Sequence, residues 1–175
     1  RQLQDNYGAR IIMAERDWDL VEEANYPEGL KPRKDMVSTD GMELTLGDST
    51  VTLYVTPGHT PGTISTLWPL RDGTRRHVGA LFGGTAFGFG HYPDPFEVVP
   101  IYSASARRFR DIALEARADV HLSSHTNYDK TLEKLTALRF RNPGDPHPFV
   151  NPDAVENYQT VMSECADATL EWLSQ

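Results

Sequence analysis

A histidine framed by two Pro-Gly turns, lying between two β-type runs, constrains the fold of this chain most strongly. Residues 51–55 place Val51, Leu53 and Val55 on one side of an extended segment, as in a half-buried strand. Thr-Pro-Gly-His-Thr-Pro-Gly follows, and a second β-type run covers residues 63–68. Because proline fixes φ and glycine permits unusual φ/ψ values, His59 is predicted on a tight loop at a strand end. Such a loop suits a metal ligand or a catalytic base, and from the local pattern alone an ordinary turn is an equal alternative.

Composition excludes several classes of protein. A length of 175 residues predicts one domain. The formal charge of −8 argues against a nucleic-acid backbone or an anionic membrane as partner. The single cysteine, Cys165, excludes an internal disulfide and a thiolate zinc cluster. Its position within a helical pattern favours a buried thiol over a nucleophile.

The first seven residues resemble the end of a helix that Gly8 closes. The sequence has no initiator methionine and no signal-peptide pattern. We therefore expect further polypeptide before Arg1, and the localisation cannot be predicted from this end of the chain.

Hydrophobic periodicity and turn residues predict an α+β fold with a mixed sheet. The first predicted elements are a strand at 8–13, a helix at 15–24, a loop at 26–34, a hairpin of 42–46 and 49–55, and a second hairpin of 63–68 and 77–82. They are followed by a loop at 86–100, a helix at 101–117, a strand at 118–124 and a helix at 128–140 with leucines at 132, 135 and 138. The last predicted helix is opened by Asn151 and Pro152, and its apolar stripe is Val155, Tyr158, Met162 and Cys165. Helices are expected on one face of the sheet, and the other face needs a second layer for which this chain has too few apolar strands.

Two of the six histidines, His59 and His125, directly follow a β-type run. Strand ends are where α/β folds collect functional groups, because the sheet fixes the backbone while the loop exposes the side chain. The other four histidines are predicted to lie outside the site: His121 within the sheet, His77 at an exposed position or edge, and His91 and His147 in Pro-rich loops.

A zinc site needs at least three protein ligands, and the histidine pattern offers two. Three acidic residues are candidates for a third ligand: Asp94, Asp119 and Asp129. Asp119 precedes a strand and is favoured as a cap, whereas Asp129 opens a helix, where the helix dipole favours an acid. Spacing alone does not complete the ligand set.

With both histidines assigned, the chain resembles the C-terminal half of a metallo-β-lactamase-fold hydrolase, closest to the third subclass. Residues 56–62 resemble the family's third metal-binding motif, and residues 118–125 resemble the strand that carries its last metal histidine. The resemblance covers most of residues 1–140, and residues 141–175 resemble the extension (a Pro-rich loop and a helix) of fungal-type members. It implies one half of an αββα sandwich. The family's opening signature, H-x-H-x-D-H, is not in this sequence, so the resemblance implies that an N-terminal segment completes the fold.

The same resemblance implies a site of two Zn²⁺ ions. His59 would complete the first zinc site with two histidines of the absent signature, and His125 would complete the second with its aspartate and last histidine. Many members place a bridging aspartate or a cysteine where this chain has Gly83-Gly84-Thr85. This departure lowers the expectation of glyoxalase-type or nuclease activity, and the charge of −8 lowers the expectation of nuclease activity further.

No residue of this chain is predicted to be catalytic itself, and three are candidates for contact with substrate: Thr85, Asn127 and Tyr128. For Thr85 a plain turn residue is the alternative. For Asn127 and Tyr128 the alternative is capping of the helix that follows, and it is the favoured one.

The implied reaction is hydrolysis of a small-molecule substrate, active only with the N-terminal segment. Zinc lowers the pKa of bound water and supplies hydroxide, which attacks the carbonyl of a cyclic amide, lactone or related ester. A thioester hydrolase of the same fold and a non-catalytic metallo-β-lactamase-like binding domain remain as alternatives. The substrate cannot be predicted, because the loops at 86–100 and 141–151 carry no decodable motif.

Overall fold

The computed structural model describes residues 1–85 and 94–175 of the chain. The helices in these ranges are α1 (Gln2–Tyr7), α2 (Glu15–Glu23), α3 (Pro95–Glu115), α4 (Thr131–Arg139) and α5 (Pro152–Leu173). The strands are β1 (Ile12–Ala14), β2 (Met36–Ser38), β3 (Met42–Leu46), β4 (Ser49–Val55), β5 (Ile64–Asp72), β6 (Arg75–Leu81) and β7 (Val120–Leu122). No helix within these ranges is long and apolar enough to cross a bilayer.

The predicted mixed sheet is present. Its five strands lie in the order β3-β4-β5-β6-β7, and a separate parallel pair is formed by β1 and β2. Neighbouring strands are antiparallel from β3 to β6, whereas β6 and β7 are parallel. Both predicted hairpins are confirmed, with Gly47 and Gly73 at positive φ in their turns. The arms of the second hairpin are longer than predicted, because pairing continues to Asp72 and Arg75.

Helices α3 and α5 cover one face of the sheet, as predicted. They pack with strands β5 and β6 into a core that includes Leu67, Ala80, Phe82, Val98, Val99, Tyr102, Phe109, Val155 and Met162. The Phe82 ring lies 5.7 Å from the Tyr102 ring and 5.9 Å from the Phe109 ring. Because each such side chain contributes roughly 1.5–3 kcal/mol on burial, this layer fixes the sheet against the helices.

The opposite face of the sheet presents an apolar concavity of about 670 Å³. Among the described residues, its lining consists of strand residues: Ile12, Leu44, Leu46, Ser49, Val51, Leu53, Ile64, Thr66, Trp68 and Pro69. Leu46 is 87% exposed and Trp68 is 39% exposed. Within the described residues, this face therefore has apolar strands without the covering layer that the alternating pattern requires.

Helix α3 begins earlier than the sequence pattern indicates. Residues 95–100 were predicted as loop, yet the helix starts at Pro95, and Asp94 caps it by accepting a hydrogen bond from the Phe96 amide at 2.8 Å. Pro100 lies inside the helix, where a proline ordinarily costs about 3 kcal/mol. The complete burial of Val98 and Val99 outweighs that cost. The rest of the predicted loop, with His91, lies outside the described residues.

Helix α4 is displaced from its predicted position and does not pack as an amphipathic helix. It begins at Thr131 rather than at residue 128, and none of its residues is buried. Leu132 is 63% exposed and Leu135 is 50% exposed. The prediction of the helix is therefore confirmed, whereas its leucine stripe does not pack into the core.

Helix α5 begins as predicted, with Asn151 accepting a hydrogen bond from the Asp153 amide at 3.2 Å. Its buried residues are Val155, Gln159, Met162, Ser163 and Ala166. Cys165 lies outside this stripe and is exposed, so the prediction of a buried thiol was wrong. Near the end of the helix, Trp172 is 72% exposed.

His121 packs within the sheet, as predicted, and is only 4% exposed. Its ring lies 4.1 Å from the ring of Tyr158 on α5, and neither ring nitrogen has a hydrogen-bond partner in the described part of the chain. Burial lowers the pKa of His121 to about 4; the nearby Lys134 lowers it further, and Asp129 acts in the opposite direction. His121 is therefore neutral near pH 7.

The depressed pKa of His121 predicts a loss of stability in mild acid. The imidazole takes up a proton near pH 6.5 in the unfolded chain and near pH 4 in the folded chain. The contribution of neutral His121 to the free energy of unfolding is therefore complete above pH 6.5 and declines as the pH falls towards 4. The free energy of unfolding should fall by roughly 3 kcal/mol over this window. Urea denaturation of the wild type and of His121→Leu at several pH values measures the effect.

In His121→Leu this decline should disappear, whereas His147→Leu should keep the wild-type profile. The pKa values of Asp5, Asp35 and Asp72 are lowered from 3.8 by folding. The stability that these carboxylates contribute is therefore lost only below about pH 3.8, outside this window. An unchanged decline in His121→Leu would assign the acid sensitivity to another group.

Candidate metal site at one sheet edge

The loops that follow β4, β6 and β7 leave the sheet at the same edge. Strand β4 ends where β5 begins, since Val55 pairs with Ile64. Strand β6 ends beside β7, since Leu81 pairs with Leu122 in parallel register. Because β5 and β6 are antiparallel, the end of β6 also lies beside the start of β5. The loops at this edge carry three residues singled out in the sequence: His59, Thr85 and His125.

The two histidine loops follow strands β4 and β7, which are separated by β5 and β6. Three strand spacings correspond to about 14 Å. A bound group located between His59 and His125 would therefore lie above the start of β5 and the end of β6. This is the position where the turn at residues 82–85 emerges.

Backbone hydrogen bonds make the His59 loop compact. The Thr56 amide donates to the Thr63 carbonyl at 2.8 Å, and the Gly58 amide donates to the Thr60 carbonyl at 3.0 Å. Gly58 has φ of +141°, and a Cβ there would lie 2.7 Å from the Cα of Tyr102. Glycine at position 58 is therefore required both by the backbone conformation and by the close approach of α3.

A buried hydroxyl pair anchors this loop to its neighbour. Thr56 Oγ1 and Ser65 Oγ lie 2.6 Å apart, and both residues are almost fully buried. Ser65 Oγ also accepts a hydrogen bond from the Gly83 amide at 3.0 Å. One serine on β5 thus connects the end of β4 to the end of β6, which fixes the spacing between two of the three loops.

Thr85 has a structural role in this turn. Its hydroxyl donates to the Phe82 carbonyl at 2.8 Å, and the residue is 1% exposed. Its carbonyl accepts a hydrogen bond from the Tyr158 hydroxyl at 3.4 Å. The alternative of a plain turn residue therefore describes Thr85 better than contact with substrate, because its hydroxyl is buried and already bonded.

His125 lies in an exposed turn after β7. Its amide donates to Ser123 Oγ at 3.1 Å, and its carbonyl accepts from the Tyr128 amide at 3.1 Å. The rings of His125 and Tyr128 are 5.9 Å apart. Tyr128 and Asn127 are both exposed, and the N-cap position of α4 is occupied by Lys130, so neither residue caps this helix.

Asp129 supplies the side-chain hydrogen bonds at the start of α4. It is 5% exposed, and its Oδ1 accepts a hydrogen bond from the Thr131 amide at 2.9 Å. The Thr131 hydroxyl donates to the same oxygen. Asp129 therefore bonds to the start of the helix through Oδ1, as expected for an acid at this position.

His77 and Asp119 form a pair at the opposite edge of the sheet. His77 Nδ1 lies 2.6 Å from Asp119 Oδ2, and Asp119 Oδ1 accepts a hydrogen bond from the Val78 amide at 3.0 Å. The His77 side chain is 14% exposed, and β6 lies between β5 and β7, so the prediction of an exposed or edge-strand histidine was wrong. Asp119 connects β6 to the start of β7 rather than serving as a simple cap, which separates it from the histidine loops.

The described residues do not assemble a complete set of metal ligands by themselves. Within 1–85 and 94–175, no group of three or more His, Cys, Asp or Glu side chains is arranged to hold a metal. Imidazole nitrogens are preferred zinc ligands, and the sheet edge carries two of them. The donor chemistry of His59 and His125 therefore fits zinc, whereas the number of ligands in the described part of the chain does not.

Asp17 on α2 is a further residue at this edge that the sequence did not reveal. Its carboxylate accepts hydrogen bonds from the Thr60 hydroxyl and the Gly62 amide. The residues in contact are more than forty positions apart, and no local pattern connects them.

Neither a protein-family model nor a curated protein matches the sequence significantly. Solved structures do match it. BJP-1, a subclass B3 metallo-β-lactamase of Bradyrhizobium japonicum, is 26% identical, with a TM-score of 0.79 over 99% of this chain and 67% of its own. The FEZ-1 metallo-β-lactamase from Legionella gormanii is 19% identical, with a TM-score of 0.79 over 99% of this chain and 69% of its own.

MEM-A1, a subclass B3 metallo-β-lactamase from a soil metagenome library, is 16% identical, with a TM-score of 0.75 over 99% and 69% of the two chains. The chain thus spans about two thirds of the length of each of these hydrolases. Almost every residue of it aligns with their structures. The chain has the metallo-β-lactamase fold.

Proposed function

We propose that this chain contributes His59 and His125 to the zinc site of a hydrolase whose remaining ligands belong to another polypeptide segment. One observation carries the proposal: the two histidines identified from the sequence lie in loops at one edge of a sheet with the metallo-β-lactamase fold. His77 lies near the opposite edge, and His121 is buried against α5. Distance along the strands thus argues against His77 as a ligand of the same site, and burial of the ring argues against His121.

The open face of the sheet supports a second polypeptide segment as part of the same proposal. A zinc site needs at least three protein ligands, and the described residues offer two that fit. The concavity of about 670 Å³ on the open face is lined by apolar strand residues. A second sheet packed on this face would bury Leu46 and Trp68. The same layer would bring further ligands to the edge that carries His59 and His125.

The proposed chemistry is hydrolysis of a carbonyl compound, with a cyclic amide, lactone or related ester as the substrate class. When bound, zinc supplies a Lewis acid and lowers the pKa of coordinated water. The chain's own contribution is two nitrogen ligands on loops whose backbones are fixed by hydrogen bonds. Asn127 and Tyr128 are exposed residues that closely follow His125, and they are the groups of this chain proposed to contact a substrate.

A non-catalytic binding domain of the same fold is the second candidate. The observation that favours it is the absence of a three-ligand group from the described residues. The two candidates differ in the ligands of the completing segment. An intact set of histidines and an aspartate there supports an enzyme, and a segment without them supports a binding domain.

Substitution of either histidine should remove metal and activity together. In the protein purified from the cells that produce it, we expect about two zinc ions per complete site. His59→Ala and His125→Ala should each lose about one zinc and at least about 100-fold of the hydrolytic rate. Elemental analysis, intact mass and hydrolysis of a chromogenic cyclic amide measure these outcomes.

His147→Ala is the matched control, since His147 lies in the loop before α5 and lines a pocket with His77 near the opposite edge. It should retain metal and activity. Full activity of His59→Ala would refute the assignment of the site.

Substitution on the open face should weaken association with the completing segment. Trp68→Ser removes a large apolar side chain from the concavity, whereas Trp172→Ser removes a similarly large one from the exposed end of α5. We expect Trp68→Ser to reduce co-purification of the second segment and the zinc content, because lost apolar burial weakens the interface. Equal retention in both variants would contradict a layer packed on this face.

A further inference from the structure

The carboxylate of Asp17 binds the His59 loop at two points. Oδ1 accepts a hydrogen bond from the Gly62 amide at 2.7 Å, and Oδ2 accepts one from the Thr60 hydroxyl at 2.8 Å. Asp17 lies in the first turn of α2. An ionised carboxylate accepts without donating, so it matches two converging donors and forms stronger hydrogen bonds than a neutral group.

Gly62 makes this approach sterically feasible. A Cβ at position 62 would lie 2.7 Å from the backbone nitrogen of Asp17 and 2.7 Å from its Oδ1. Such distances are shorter than van der Waals contact, so a larger residue would push the loop away from α2. The second Pro-Gly turn of the motif is therefore complementary to the first turn of this helix.

A second helix holds the other side of the same loop. Ser105 on α3 donates from its hydroxyl to the Pro57 carbonyl at 2.7 Å. Gly58 lies against Tyr102 of the same helix, where a Cβ would be 2.7 Å from the Tyr102 Cα. The contacts from α3 precede His59 in the chain, and those from Asp17 follow it. The backbone on both sides of His59 is thus fixed by helices that are distant in sequence.

We propose that Asp17 is a positioning residue for His59. Its two hydrogen bonds fix the backbone immediately after the histidine and thereby set the direction in which the imidazole is presented. Asp17 need not touch a metal or a substrate, since it acts through Thr60 and Gly62. The consequence for metal binding rests on the proposed function, whereas the effect on the loop itself does not.

Hydrogen exchange tests the effect on the loop without any metal. In the protein with its completing segment, freed of metal by a chelator, Asp17→Ala should accelerate exchange of the Gly62 amide at least about tenfold, because a hydrogen-bonded amide becomes free. Asp17→Asn retains one acceptor oxygen and should give an intermediate rate. Asp19→Ala is the matched control, since Asp19 is an exposed acid on the same helix and should leave Gly62 unchanged.

Metal affinity tests the consequence. In the protein with its completing segment, Asp17→Ala should weaken zinc binding by about 10- to 100-fold, as for residues that orient a metal ligand, with partial recovery in Asp17→Asn.

Unchanged exchange at Gly62, or equal acceleration in Asp19→Ala, would overturn the positioning role. Faster exchange with unaltered zinc affinity would also overturn it. A wild-type protein that binds no zinc would refute the proposed function, while accelerated exchange at Gly62 would still support Asp17 as the anchor of the loop.

Discussion

The arrangement of the candidate site depends on hydrogen bonds around Ser65, a buried serine on β5. Its hydroxyl lies 2.6 Å from that of Thr56 and accepts from the Gly83 amide at 3.0 Å. Unpaired polar groups at this depth would be costly, so each hydroxyl is stable only if the ends of β4 and β6 remain together. The loop that carries His59 and the turn at residues 82–85 are therefore held together by one set of buried hydrogen bonds.

The two faces of the sheet have different roles in this account. The face towards α3 and α5 is covered by these helices, and the ring of Phe82 packs there against Tyr102 and Phe109. The opposite face, with Trp68 and Leu46 exposed, is apolar and open in the described part of the chain. The incomplete ligand set and the open apolar face both favour a second layer, and sheets of this kind are stable when each apolar face is covered.

The sequence predicted those features that are determined locally. The alternating runs and the glycines in their turns correctly identified both hairpins, and Asn151 correctly marked the start of α5. The start of α3 could not be predicted, since Pro100 argues locally against a helix that only tertiary burial stabilises. The anchoring of the His59 loop by Asp17 was likewise missed, because the hydrogen bonds connect residues far apart in the chain.

Zinc-edge anomalous diffraction from crystals of the protein with its completing segment would locate the metal relative to both histidines. We expect two anomalous peaks, one about 2.1 Å from a ring nitrogen of His59 and the other at the same distance from a ring nitrogen of His125. Metal bound elsewhere, or imidazoles of His59 and His125 directed to opposite faces of the sheet, would contradict it.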